Sequence, residues 1–121
     1  MIPKFRVWLP DEEKMLRIKA LVFENDKTRC ICGYAFDFYL EDEDATIMQS
    51  TGLRDKNGQE IFEGDIVQFS DSLYTVFYDI KEGSYRLKPH DDRWVIDYMS
   101  NFSSDESFEI VSNIYENKEY L

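Results

Sequence analysis

Two cysteines and one histidine are too few for most metal and nucleophile chemistry. Cys30 and Cys32 are two residues apart, which on a strand turns both thiols to one face. A structural zinc takes four tetrahedral ligands, and His90 stands alone far along the chain. The sequence therefore offers no metal set and implies no cofactor. No apolar run approaches the ~20 residues of a membrane span. Met1–Phe5 lacks the basic start and apolar stretch of a signal peptide, so the chain is expected to stay in the cytoplasm with reduced thiols.

Basic charge is also scarce. Fourteen Lys and Arg stand against twenty-five Asp and Glu, a formal net charge of −11. The deficit is uneven: residues 1–33 hold seven basic and five acidic residues, net +2, and residues 34–121 hold seven and twenty, net −13. Such a surface repels phosphate backbones and keeps a protein dissolved, so direct binding to DNA or RNA is not expected.

What the chain does have is rings: nine Phe, eight Tyr and two Trp, which favour strands. With 43% hydrophobic residues the chain is globular, and its length suits one domain or two small ones. Alternation predicts strands over Phe5–Trp8, Met15–Phe23 and Thr28–Cys32, an extended run Tyr34–Leu40, and Thr46–Gln49. Residues 1–48 thus read as an antiparallel meander. Asn57-Gly58 is a strong two-residue turn signal between Thr51–Arg54 and Glu60–Phe62. Gly64-Asp65 marks a bend opening the strand Ile66–Phe69. Leu73–Tyr78 and Ser84–Lys88 follow as strands, and Val95, Tyr98, Met99 and Phe102 at helical spacing predict a short helix around Asp97–Asn101. Phe108–Ile114, apolar on both faces, suits a last barrel strand returning to the first. Residues 49–121 then form a small barrel, and the two parts are expected to fold as one cooperative unit.

Several of these residues also carry a likeness. Thr51-Gly52-Leu53, the run Asp55–Val67 with Asn57, Gly58, Gly64 and Asp65, and Asn113-Ile-Tyr115-Glu-Asn117 resemble the YopX family of small phage and prophage proteins, as does the opening Met1–Trp8. The resemblance implies a mainly β fold with an SH3-like barrel, a bacterial host cytoplasm, and no established activity.

Catalytic constellations are weak. Asp55–Glu60 superficially matches a calcium loop, but its glycine comes fourth instead of sixth, so the hairpin reading prevails. Glu41–Asp44 on an extended chain point to alternate sides and do not converge on an ion. His90 lies beside Asp91 and Asp92, which favour the imidazolium, but no nucleophile motif accompanies it. The remaining candidates are aromatic: Tyr74, Tyr78 and Trp94 on one side of the barrel could grip an extended peptide, though filling the core is the commoner fate of such rings. The sequence thus reads as a non-enzymatic phage-type accessory protein that binds another protein or assembles with itself. The alternative is an acidic nucleic-acid mimic that occupies a host DNA-binding protein.

Overall fold

Alternating apolar and polar residues, broken by turn chemistry, give a chain of short antiparallel strands. The computed structural model describes residues 3–33, 37–91, 93, 96–98 and 108–116. The chain divides into two compact units, Ile2–Gln49 and Ser50–Leu121. The fold is mainly β, and among the described residues the only helical piece is a 3-10 turn at Leu40–Asp42.

In the first unit, β1 (Phe5–Leu9) pairs with β2 (Lys14–Arg17) through the Pro10–Glu13 turn, and its other edge takes residues 46–49 of β6 (Thr46–Arg54). A separate sheet is a meander of β3 (Ala20–Glu24), β4 (Lys27–Ile31) and β5 (Asp37–Tyr39). The antiparallel strands expected here are therefore shared between two sheets. Met15–Phe23, read as one strand, is two. At Ile18 the backbone N–H still bonds to Phe5 O, whereas at Lys19 it bonds to Ile31 O, so the chain changes sheets between them. Val7, Leu9 and Cys32 are buried, with Leu16, Ile18, Phe38 and Ala45 packed against them.

In the second unit, the rest of β6 pairs with β7 (Glu60–Phe62). A five-stranded curled sheet follows: β8 (Asp65–Phe69), β9 (Ser72–Asp79), β10 (Ser84–Pro89) and β11 (Asp97–Tyr98) form a meander, and β12 (Phe108–Asn113) returns to pair with β8. The order β11-β10-β9-β8-β12 is the barrel connectivity expected from the apolar, two-faced last strand. Residues Asp97 and Tyr98, placed in a short helix by the spacing of their neighbours, pair instead with Leu87 and Arg86. Residues 99–101 of that helix lie outside the described residues. Cross-strand pairing decides here over local periodicity.

The core of this unit is Ile61, Val67, Val76, Leu87 and Phe108, flanked by Leu53, Phe69, Tyr74, Tyr85 and Ile110. Register explains the set: Val76 lies opposite Leu87 and Ile110 opposite Val67, so one face of the sheet is apolar across the strands. On the other face Arg86 Nη1 donates to Asp79 Oδ2 at 2.8 Å, a half-shielded ion pair that holds the Asp79 carboxyl below its usual range.

Candidate functional site

Asp55 is an acid in a loop, and charge alone would place it in solvent. It is 4% exposed. Its Oδ1 accepts from the backbone N–H groups of Asn57 and Gln59, both at 2.9 Å, and its Oδ2 accepts from Ile110 N–H at 3.1 Å. Lys56 N–H donates to Phe108 O at 2.8 Å. One carboxylate thus shapes its own turn and ties it to β12, occupying backbone groups that would otherwise lie along an open strand edge.

The turn is not the two-residue form read from Asn57-Gly58. Gly58 N–H bonds to Asp55 O and Asp55 N–H to Gln59 O, and only Gly58 has positive φ, +78°. Asp first, Asn third and a left-handed glycine fourth suit a type I turn closed by one extra residue. No heavy atom lies within 4 Å of a Cβ placed on Gly58, so a side chain there meets backbone strain alone. Gly58→Val is expected to cost about 1–3 kcal/mol. Urea denaturation reads this as a lowered midpoint with an unchanged slope, and an unchanged midpoint would contradict it.

Ser50–Arg54 is also irregular. The β6–β7 register shifts between Ser50 and Arg54, and Gly52 sits in the shift at φ +83°. Ser50 Oγ donates to Glu60 Oε2 at 2.6 Å and accepts from Gly52 N–H, and Thr51 Oγ1 donates to Ile61 O and accepts from Leu53 N–H. These hydroxyls satisfy a bulged strand. The sequence analysis reads Thr51–Arg54 as the arm leading into a hairpin and gives the Ser50, Thr51 and Glu60 side chains no hydrogen-bonding role. The glycine inside the strand was the signal.

A second cluster forms where β8 meets β12. Asp65, almost fully buried, accepts from Phe62 N–H at 2.8 Å and lies opposite Asn113. Gly64 N–H donates to Val76 O and Gly64 O accepts from Ile114 N–H. Asn113 Oδ1 accepts from the N–H groups of Tyr115 and Glu116, and its Nδ2 donates to Glu116 Oε1. Gly64, Asp65, Asn113 and Tyr115 therefore come together, as do Asp55, Asn57 and Gly58 with the start of β12.

The aromatic candidates do not assemble into one site among the described residues. Tyr74 packs against the core, and Tyr78 is 45% exposed with its ring edge-on to Tyr85 at 5.1 Å. Trp94 lies outside the described residues. Beyond Tyr78, Ile80 in the β9–β10 hairpin turn is 87% exposed, a residue that falls between the strands Leu73–Tyr78 and Ser84–Lys88 expected from the sequence. His90 Nε2 lies 2.8 Å from Thr75 Oγ1, and its backbone N–H donates to Leu73 O. The neighbouring Asp91 carboxylate turns to Arg93, which holds its pKa down to about 2. Asp92 lies outside the described residues. No group of three or more His, Cys, Asp or Glu is placed to hold a metal among the described residues.

A family model described as YopX protein matches residues 4–121. The chain belongs to the YopX protein family. The crystal structure of protein EF1440 from Enterococcus faecalis is similar to it, with a TM-score of 0.63 and 28% sequence identity over 100% of this chain and 99% of that one. A comparison with curated proteins finds no match. In this YopX-family chain, two of the stretches that carry the resemblance, Asp55–Val67 and the one beginning at Asn113, are distant in sequence and meet at β12, where Asp65 lies opposite Asn113, Gly64 bonds to Ile114 and Asp55 bonds to Ile110.

Both cysteines of the YopX chain are buried and free. Burial, with a smaller contribution from Cys32, pushes the Cys30 thiol up to about 11, and burial also raises Cys32 and Tyr85 above their ordinary values. Between about 9 and about 11 the folded chain keeps a Cys30 proton that the unfolded chain releases. Stability is therefore expected to be fully present below that window and to fall as pH rises through it. Urea midpoints at intervals from pH 8 upward check this, and a Cys30→Ala chain should show a shallower fall. Identical slopes for the two chains would contradict it. Among the described residues no helix is long and apolar enough to cross a membrane.

Proposed function

We propose that this YopX-family chain is a phage- or prophage-encoded accessory protein of the bacterial cytoplasm that works by binding protein, not by catalysis. The observation that carries the reading is apolar surface left uncovered on the barrel unit. Tyr78 and Ile80 follow each other along the end of β9 and its turn, and both stand open to solvent. Scattered exposed apolar residues are ordinary, but a ring and a branched aliphatic on one hairpin end offer a compact anchor for a partner. The hydrogen bonds that the family motif makes are spent inside the fold, which leaves the motif a structural role and points recognition elsewhere.

The test is affinity capture from host cells carrying the phage genes, comparing the native chain with Ile80→Asp. The expected result is one protein enriched by the native chain and reduced at least about tenfold by the variant, as loss of an apolar anchor would give. Equal capture by both chains would overturn the reading. The acidic-mimic alternative rests on the net −13 of residues 34–121. It requires instead that the captured protein be a DNA-binding one, released by DNA and indifferent to Ile80.

A further inference from the structure

Among the described residues, most strand edges are blunted. β2 carries Lys14 and Arg17 at its ends, β5 and β7 have three residues each, and β11 has two. The edge of β12 is met by Asp55 and Lys56. Short length, basic side chains and capping are the usual ways proteins prevent edge-to-edge pairing. β3 has none of them. Its five residues, Ala20-Leu21-Val22-Phe23-Glu24, carry one charge at the end, and among the described residues only β4 pairs with it.

The register gives this edge a defined pattern. Asn25-Asp26 is a two-residue turn between Glu24 and Lys27, so those two form the hydrogen-bonded closing pair. Alternation then directs the backbone groups of Val22 and Ala20 to β4 and those of Leu21 and Phe23 to the open side. The side chains follow the same period. Leu21, Cys30 and Phe38 form a cross-strand row on the apolar face of this sheet. Phe23 is on that face too, but it lies at the far end and is 79% exposed.

We propose that β3 pairs antiparallel with β3 of a second copy, about a two-fold axis at Val22. This goes beyond the binding reading above, whose anchor is the β9–β10 hairpin, by naming a second copy as partner and β3 as the strand that meets it. In this register Leu21 of one copy faces Phe23 of the other, and each supplies the N–H and C=O that its counterpart needs. The apolar row Phe38–Cys30–Leu21 then continues into Phe23 of the second copy, which covers the most exposed ring among the described residues. The two three-stranded sheets become one. The interface is isologous, as a closed dimer requires. Charge agrees: two chains of net −11 repel, and residues 1–33, net +2, are where they can approach.

Sedimentation near physiological salt and amide hydrogen exchange test this together. The native chain is expected to self-associate by about 100 μM, an ordinary weak-dimer range. Phe23→Lys, which adds a charge to the edge of each copy, should weaken the dimer at least about tenfold; Ile80→Asp should leave it unchanged. In the native chain, the Leu21 and Phe23 amides should gain protection as concentration rises, while Ala20, Val22 and Glu24 hold theirs. A native chain that stays monomeric overturns the proposal, as does a Phe23→Lys chain that associates normally or a Leu21 amide indifferent to concentration. If Phe23→Lys does not fold, the native exchange pattern decides alone. A monomer that still captures a partner through Ile80 sinks this inference and leaves the binding reading standing. A dimer that captures nothing does the reverse.

Discussion

Replacing Asp55 with alanine is expected to cost about 3 kcal/mol, a large fraction of the ~5–15 kcal/mol that holds a domain of this size together. The substitution removes the acceptor of three backbone N–H groups at once. Asn57 and Gln59 recover part of the loss from water because their turn is at the surface. Ile110 is part-buried on β12 and recovers less, so its orphaned donor bears most of the cost. Asp55→Asn separates the two contributions. Its amide oxygen can still serve Asn57 and Gln59, but an NH2 then faces Ile110 N–H, so an intermediate loss of about 1–2 kcal/mol is expected. Urea denaturation measures both. If Asp55→Ala matches the native midpoint, or if Asn is worse than Ala, the carboxylate does not bridge turn and strand.

Removing residues 108–121 is expected to abolish the folded barrel unit outright. β12 supplies Phe108 to the core and covers β8 along its length. It also accepts Lys56 N–H, donates Ile110 N–H to Asp55, and is followed by the Ile114 bond to Gly64. Its loss exposes Ile66 and Val67, both fully buried, and leaves an edge of unpaired backbone groups on β8. Near-ultraviolet circular dichroism should lose its fixed-ring signal. A truncated chain that keeps a native-like spectrum would show that β12 is an accessory strand.

Strand content and barrel order were legible because they follow from local alternation. Phe108–Ile114 reads as a strand that needs partners on both faces, and its return to β8 is what a meander must do to cover its first edge. Three features were not legible, each for the same reason. The alternation of Met15–Phe23 runs unbroken through Ile18 and Lys19, while the bonds that split it come from Phe5 and Ile31. Asp97 and Tyr98 have neighbours at helical spacing, but Leu87 and Arg86 pull them into a sheet. Asp55 looks like a solvated turn acid until Ile110, 55 residues later, is placed above it. Periodicity reports which side of an element faces inward and is silent about which distant backbone group needs an acceptor. The resemblance filled part of that gap, since Asp55, Gly64, Asp65 and Asn113 all belong to it: Asp55 bonds to Ile110, Gly64 bonds to Ile114, and Asp65 pairs with Asn113 across β8 and β12.

The central claim is that these motif residues hold the fold together and leave recognition to other surfaces. Amide hydrogen exchange of the free protein tests it most directly. Protected amides that open only when the whole unit unfolds share one free energy. If the motif is a folding clamp, Ile110 should exchange as slowly as the β8 core amides of Ile66 and Val67, with Asn57 and Gln59 close behind. If Ile110, Asn57 and Gln59 instead exchange at the rate of an open loop and slow only when a partner is added, the motif is a binding element and the claim fails.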